Sequence, residues 1–487
     1  MATTGNTSAA VNAVLTHPFL LTEIEERIKL RNPLYAFISK NVSKLGAVSE
    51  SGDYVRLKRY TTDRQHAIAG RSEGGDGILP GTTTPAYATL YPMQIMGSIG
   101  WSHEQLENCR TERGFADLIS GDFLAHINAV KGVLNACWFG DGTGRLARVA
   151  SYSATSATVG VVTVDNDQAD FGWNKCDLMF EGLMVDIYTV ANIVGTSAWT
   201  TKVTQCVVSG VNKSAGTFTI TARTDSAGNA LAGSEITANP ADSDFVFIHG
   251  AVKLTSANKW SAWQLPMGIH GIVDDGGSAG NEFNTGASPS SDYNHNWSGV
   301  TFQGLARNTA ANSMFESRIA RAGDNRGGTD GTAVTTDMND IDLELDYLFQ
   351  TNDGPDPEKL IALCNAKTGR WWTTTAAAEQ NAFAPITDNR VVPGYKRITG
   401  FNSQAANAVI PVFYIPTCAD GTIIFLDTDR LGFWDMYPLG PFLYGGKSQF
   451  ESPGTRNLTN ERWSRYRGNL GAVRCDTSLR IEDCDIA

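Results

Sequence analysis

Apolar positions change their spacing several times along the chain, and each change predicts a different kind of element. Between Pro18 and Leu45 a short helix is expected, with Thr22 as N-cap, Glu25 closing a capping box, Ile24, Ile28 and Leu30 as apolar contacts, and Pro33 ending it. From Val48 to Ile99 the period becomes two. Tyr54, Arg56 and Lys58 alternate with Val55 and Leu57, a glycine-rich tip follows at Gly70–Gly77, and an apolar limb returns over Ala86–Ile99. The pattern is a long two-stranded loop whose tip carries too little apolar surface to bury itself, so it needs a partner to lie on. A period of 3.6 is strongest from Glu112 to Phe139, where Phe115, Leu118, Ile119, Ile127, Val130, Leu134, Cys137 and Trp138 recur, Thr111 can cap and Gly140–Gly144 stops the helix. At 1.5 Å per residue this helix would be roughly 42 Å long, a spine instead of an ordinary globular helix.

Residues 151–252 turn β-rich. Val159–Val164, Met184–Val190, Val203–Val208, Phe218–Ile220 and Phe245–Ile248 predict about five strands with turn signals between them, as in a small barrel or sandwich. A polar Gly/Ser/Asn-rich segment, Gly276–Ser298, reads as a long loop. Beyond it a mixed region is expected: a helix over Thr336–Thr351 with Met338, Ile341, Leu345 and Leu348 on one face, a strand over Lys359–Cys364 and a helix over Trp371–Gln380. Val409–Ile415 and Thr422–Leu426 read as a β-hairpin turning at Ala419–Gly421, and Arg462–Ile481 as an arginine-rich, strand-like terminus.

Composition narrows the classes. Hydrophobic residues make up 42% of the 487, as in a globular protein, but charged residues only 18%, which suits a surface largely covered by other subunits. The net charge of −12 argues against a dedicated nucleic-acid reader. It is unevenly spread: Met1–Arg71 holds ten Lys or Arg against six Asp or Glu, so the remainder stands at −16. A basic N-terminal stretch on an acidic body is suited to docking on its own neighbours. No run of about eighteen apolar residues is present to span a bilayer as a helix, and the N-terminus shows no secretory pattern. Cys109, Cys137, Cys176, Cys206, Cys364, Cys418, Cys475 and Cys484 lie far apart without zinc-ligand spacing, and read as small buried apolar residues.

Familiar catalytic and cofactor patterns fail on inspection. Gly445–Ser448 resembles the end of a phosphate loop, but the first glycine should stand where Pro441 is. Gly140–Gly144 follows a helix, whereas a dinucleotide loop follows a strand. Asp165, Asp167 and Asp170 lack the glycine and the closing glutamate of a calcium loop. His126, inside the spine helix, reads as a packing or interface residue, and the pairs Trp260/Trp263 and Trp371/Trp372 as core or subunit contact. No cofactor, metal site or catalytic residue is therefore expected.

The order of elements is more telling than any motif. An arm, a long extended loop, a spine helix, a β-module, an α/β region and a final β-return resemble the major capsid proteins of tailed bacteriophages, the Hong Kong 97 fold. Leu265–Gly276, Thr301–Arg307, Asp420–Asp427 and Arg467–Arg474 look like stretches of that family, and the likeness covers nearly the whole chain. The resemblance implies an α+β fold divided as follows: arm 1–47, extended loop 48–100, spine helix of a peripheral domain 101–150, inserted β-barrel or sandwich 151–252, a connection with a long loop 253–330, an axial domain 331–420 and returning peripheral strands 421–487. It implies a structural protein and not an enzyme, self-assembling as hexamers and pentamers into an icosahedral shell in the host cytoplasm and residing in the virion capsid. Separate scaffolding, portal and decoration proteins would be its further partners, with packaged double-stranded DNA touched non-specifically and no membrane. Arg56, Lys58, Arg59, Arg64, Arg71 and Glu73 are the subunit-contact candidates. Some relatives cross-link this loop through a lysine, but here no lysine lies between Lys58 and Lys131, which implies a non-covalent shell. A nanocompartment shell of encapsulin type and an irregular β-rich enzyme or binding protein are the alternatives.

Overall fold

The computed structural model describes Ile38 and residues 47–50, 54–60, 85–102, 126, 128–140, 142–164, 176, 178–190, 198–223, 231, 233–242, 244–258, 260–274, 314–320, 334–350, 354–379, 400–415, 417–418, 420–441, 449–452, 459–482 and 484–485. The expected N-terminal helix, the loop tip, the first half of the spine helix, the Asp165–Asp170 turn, the polar segment 276–298 and Gly445–Ser448 lie outside these residues. Helix and strand are mixed throughout, in two hydrophobic cores that share one sheet.

The loop begins as a three-stranded antiparallel ribbon of β1 (Ala47–Glu50), β2 (Val55–Tyr60) and β3 (Pro85–Leu90). The return limb does not continue to Ile99 as one strand. It breaks at Tyr91–Pro92, where a proline has no N–H for a ladder, and β4 (Met93–Ser102) leaves to pair along β21 (Thr459–Ala472), with Ile95 opposite Tyr466. The other edge of β21 carries β19 (Leu431–Pro441) and β20 (Gln449–Ser452). Helix α1 (128–139) lies on this sheet, burying Val130, Leu134 and Trp138, whose ring meets Phe433 at 5.2 Å and Tyr466 at 6.0 Å. Gly97 permits the close approach, because a Cβ there would sit 2.5 Å from the His126 ring.

The β-rich stretch closes on itself. β5 (Arg145–Ala154), β6 (Val159–Val164), β9 (Thr217–Thr221), β8 (Thr200–Asn212), β7 (Met184–Thr189) and β11 (Phe245–Ile248) pair in that cyclic order, and β10 (Glu235–Ile236) adds to β8. Period-two burial explains the closure: Val162 and Val164 on β6 and Phe218 and Ile220 on β9 are buried, their neighbours half-exposed. β5 was not expected as a strand, and it runs across the boundary drawn between 150 and 151. Its first half, Arg145–Val149, is buried throughout, so alternation is missing where the barrel meets the rest of the core. A short hairpin, β12 (Val252–Leu254) with β13 (Trp260–Trp263), leads to the one-turn helix α2 (Ile269–Ile272).

The second core lies under a six-stranded sheet ordered β14 (Arg318–Ala320), β22 (Leu479–Ile481), β18 (Ile423–Asp427), β15 (Leu360–Cys364), β17 (Ala408–Tyr414), β16 (Gly400–Ser403). The expected hairpin between 409–415 and 422–426 is absent: β15 separates β17 from β18, parallel to the one and antiparallel to the other. The reason is burial on both faces. Leu360, Ala362 and Cys364 face one core while Ile361 and Leu363 face the other, which only a central position supplies. β18 and β22 therefore belong to this sheet and not with β19 and β21. Helices α3 (Met338–Phe349) and α4 (Ala366–Glu379) belong to this second core, which takes in Ile341, Leu345, Leu348 and Trp372. Asp337 caps α3 in a reciprocal box with Asp340. α4 begins five residues before the expected Trp371 because the Asn365 side chain accepts from the Thr368 N–H at 2.7 Å, an N-cap hidden in a polar stretch.

Candidate assembly surface

The ribbon positions the first surface. Val55 and Leu57 on β2 and Ala88 and Leu90 on β3 are buried and paired Val55 to Leu90 and Leu57 to Ala88. The alternate positions turn outward: Arg56 is exposed opposite Thr89, and Tyr87, 51% exposed, stands in register opposite Lys58. The Arg56 guanidinium lies 5.3 Å from the Tyr54 ring centroid, and Tyr54 meets Tyr91, itself 54% exposed, edge-on at 6.4 Å. One outward strip thus joins a cation to three tyrosines, the residue types enriched at protein interfaces. Of the contact candidates, Arg56, Lys58 and Arg59 lie on β2, with Arg59 in register opposite Ala86, while Arg64, Arg71 and Glu73 lie outside the described residues. The apolar content of the return limb does not point to Tyr87 and Tyr91, but the alternation Tyr87, Thr89, Tyr91 marks them as outward positions.

A second feature is a groove of about 980 Å³ between β4, α1 and the barrel rim. Its apolar wall includes Met93, Met96, Val130, Val133 and Met184, and its polar lining includes His126, Arg223, His249 and Arg467. His126 shares a 2.7 Å hydrogen bond between Nε2 and Ser464 Oγ, and burial holds its pKa below the usual histidine value. His249 Nδ1–H donates to the buried Asp186 carboxylate at 2.9 Å, which also accepts from the Gln205 N–H at 2.8 Å and from the Tyr188 hydroxyl at 3.4 Å. Gln205 reaches that carboxylate through a left-handed backbone, φ 50°. Burial, and then the Asp186 charge, pushes the Tyr188 hydroxyl well up, and the same two causes push the Cys206 thiol up to about 11. With its fourth contact a 3.4 Å approach of the Gly250 N–H, the carboxylate ties β7, β8 and the turn after β11 together. It fixes the tautomer of His249 at the groove wall.

Among the described residues no three His, Cys, Asp or Glu side chains converge as a metal site, and no helix is long and apolar enough to cross a membrane. The seven described cysteines are buried, as small apolar residues would be. A buried cation fastens the C-terminal strand: Arg480 donates to Val273 O at 2.8 Å and to His270 O at 3.2 Å, and pairs with Glu482 at 2.7 Å.

No family model matches this chain, and no curated protein matches it. Among solved structures it is similar to a chain of the Cyanophage A-1(L) capsid asymmetric unit, at 11% identity over 92% of this chain and 93% of that one, with a TM-score of 0.40. It is also similar to a chain of the satellite phage P4 procapsid that includes the size determination protein, at 9% identity over 95% and 99% of the two chains, with a TM-score of 0.34. The match to the holo-SrpI encapsulin complex of Synechococcus elongatus PCC 7942 covers 35% of this chain and 54% of that one, at 9% identity and a TM-score of 0.22.

Proposed function

We propose that this chain is the shell-forming subunit of a tailed-phage head, a major capsid protein that assembles as hexamers and pentamers around packaged DNA. The observation that carries the reading is the ribbon β1–β3, which buries one face on its own core and presents Tyr54, Arg56, Tyr87 and Tyr91 on the other. A strip of that composition on a limb leading into a glycine-rich loop is built to be covered by another subunit. The likeness of element order to the Hong Kong 97 family, the low charge content and the acidic body that would contain DNA without gripping it support the same conclusion. In this reading the closed barrel is an insertion carried on the peripheral domain, and the sheet with α3 and α4 is the axial domain. Electron microscopy of the purified protein across concentration and salt tests it. Closed particles with pentameric and hexameric units are expected; a protein that stays monomeric throughout would refute it. Co-expression with terminase and portal proteins separates a phage head from a nanocompartment, since only the former packages DNA.

A further inference from the structure

The groove beside the barrel and the outer face of α3 are chemically matched. Arg223 and Arg467 supply the groove's cations, beside the His126 and His249 imidazoles and thioether and aliphatic chains; among the described residues no aspartate or glutamate lines it, the nearby Asp186 carboxylate being buried behind His249. A cleft with apolar walls and cations selects an occupant that is acidic and carries large apolar side chains. Of the other exposed large apolar residues among those described, Tyr87 and Tyr91 belong with the ribbon that carries Arg56, Tyr437 lies under the Arg465 guanidinium at 4.1 Å, and Leu231 and Val409 have no second such residue within four positions. Leu343 and Tyr347, 43% and 38% exposed, differ. They stand one turn apart on α3, whose charged residues, Asp340, Asp342, Glu344 and Asp346, are all acidic. Tyr347 also carries a guanidinium, that of Arg318 at 4.4 Å, but the inward Glu344 neutralises this one at 2.6 Å, while Asp346 is exposed and its side chain accepts, among the described residues, only from Gln350 on its own helix.

The geometry points to α3 of a second copy as the occupant of this groove, with Leu343 and Tyr347 as its apolar anchors and Asp346 paired to Arg223. This is helix-in-groove recognition with anchors at i and i+4. The two patches do not overlap, so the contact is head-to-tail and repeats around a ring or along a filament. The inference rests on the shell reading, but it assigns a contact distinct from the ribbon.

The test places a photo-crosslinking p-benzoylphenylalanine at Met184, or in a second variant at Met96, two exposed groove residues of the full chain, and mixes light and isotopically heavy protein. Cross-links between copies are expected in the peptide spanning 338–350. Arg223→Glu and Asp346→Arg should each reduce them roughly tenfold, and the two changes combined in one chain should restore them, with circular dichroism unchanged in all three. Cross-links elsewhere on the second copy, none from either position, or reversals that leave yield unchanged or fail to rescue each other overturn the contact. Microscopy of the same samples reads the shell separately. Closed particles without the α3 cross-link overturn the contact and leave the shell reading standing. Cross-linked rings or filaments that never close support the contact and overturn the shell.

Discussion

Arg318→Met isolates the interaction that holds α3 to the edge of the second sheet. Arg318 Nε meets Glu344 Oε2 at 2.6 Å, with the carboxylate side chain 1% exposed and the arginine 34%. Removing one partner of a buried pair costs about 3–5 kcal/mol, because the remaining charge is left desolvated. The arginine's partial exposure places this pair at or below the low end, about 2–3 kcal/mol, and loss of the stack on Tyr347 adds about 0.5–1 kcal/mol. A total near 3 kcal/mol corresponds to roughly a hundredfold loss of protection for the α3 amides in native-state hydrogen exchange. The companion variant Arg318→Met/Glu344→Met removes both charges and should recover most of that protection, since apolar replacement of a buried pair is close to neutral. A single variant that costs under about 0.5 kcal/mol would show that water already screens the pair, and a double variant as weak as the single would show that lost packing, not stranded charge, is the cause.

Burial lowers the His126 pKa from 6.5, so its neutral form is the one the folded state prefers. Its contribution is intact above the unfolded pKa and is lost as pH falls from there toward the folded pKa, and His126→Gln should flatten that part of a stability–pH curve; an unchanged curve would refute it. Gly97→Ala forces a methyl against the His126 ring and Val130, and a loss of about 1–3 kcal/mol in thermal or urea unfolding is expected with far-UV circular dichroism unchanged. Arg56→Glu should leave the monomer's melt within about 0.5 kcal/mol of the parent but depress particle yield, most strongly at low salt; normal yield at all salt concentrations would remove Arg56 from the interface. Mature particles should dissolve to a single monomer band on a denaturing gel, because the loop between Lys58 and Lys131 holds no lysine to cross-link; a ladder of multimers would contradict this.

Much of the local structure was legible in the residues themselves. The face of α3 was set by Met338, Ile341, Leu345 and Leu348, the barrel strands by alternating valines, and the outgoing limb of the ribbon by Val55 and Leu57 alternating with Tyr54, Arg56 and Lys58. These are short-range periodicities, and they say which side of an element seeks burial. They do not say against what. That β15 would part β17 from β18, and that the chain after Pro92 would cross to β21, depended on which long-range partner could cover both faces of an apolar strand. The surfaces divide the same way. Arg56 announced itself by charge and alternation, whereas the groove brings together His126, Arg223, His249 and Arg467 from separate parts of the chain, with the Asp186 carboxylate behind His249. No local pattern marks such residues, because only chain closure around the barrel and the seating of α1 on β4 and β21 sets their distances.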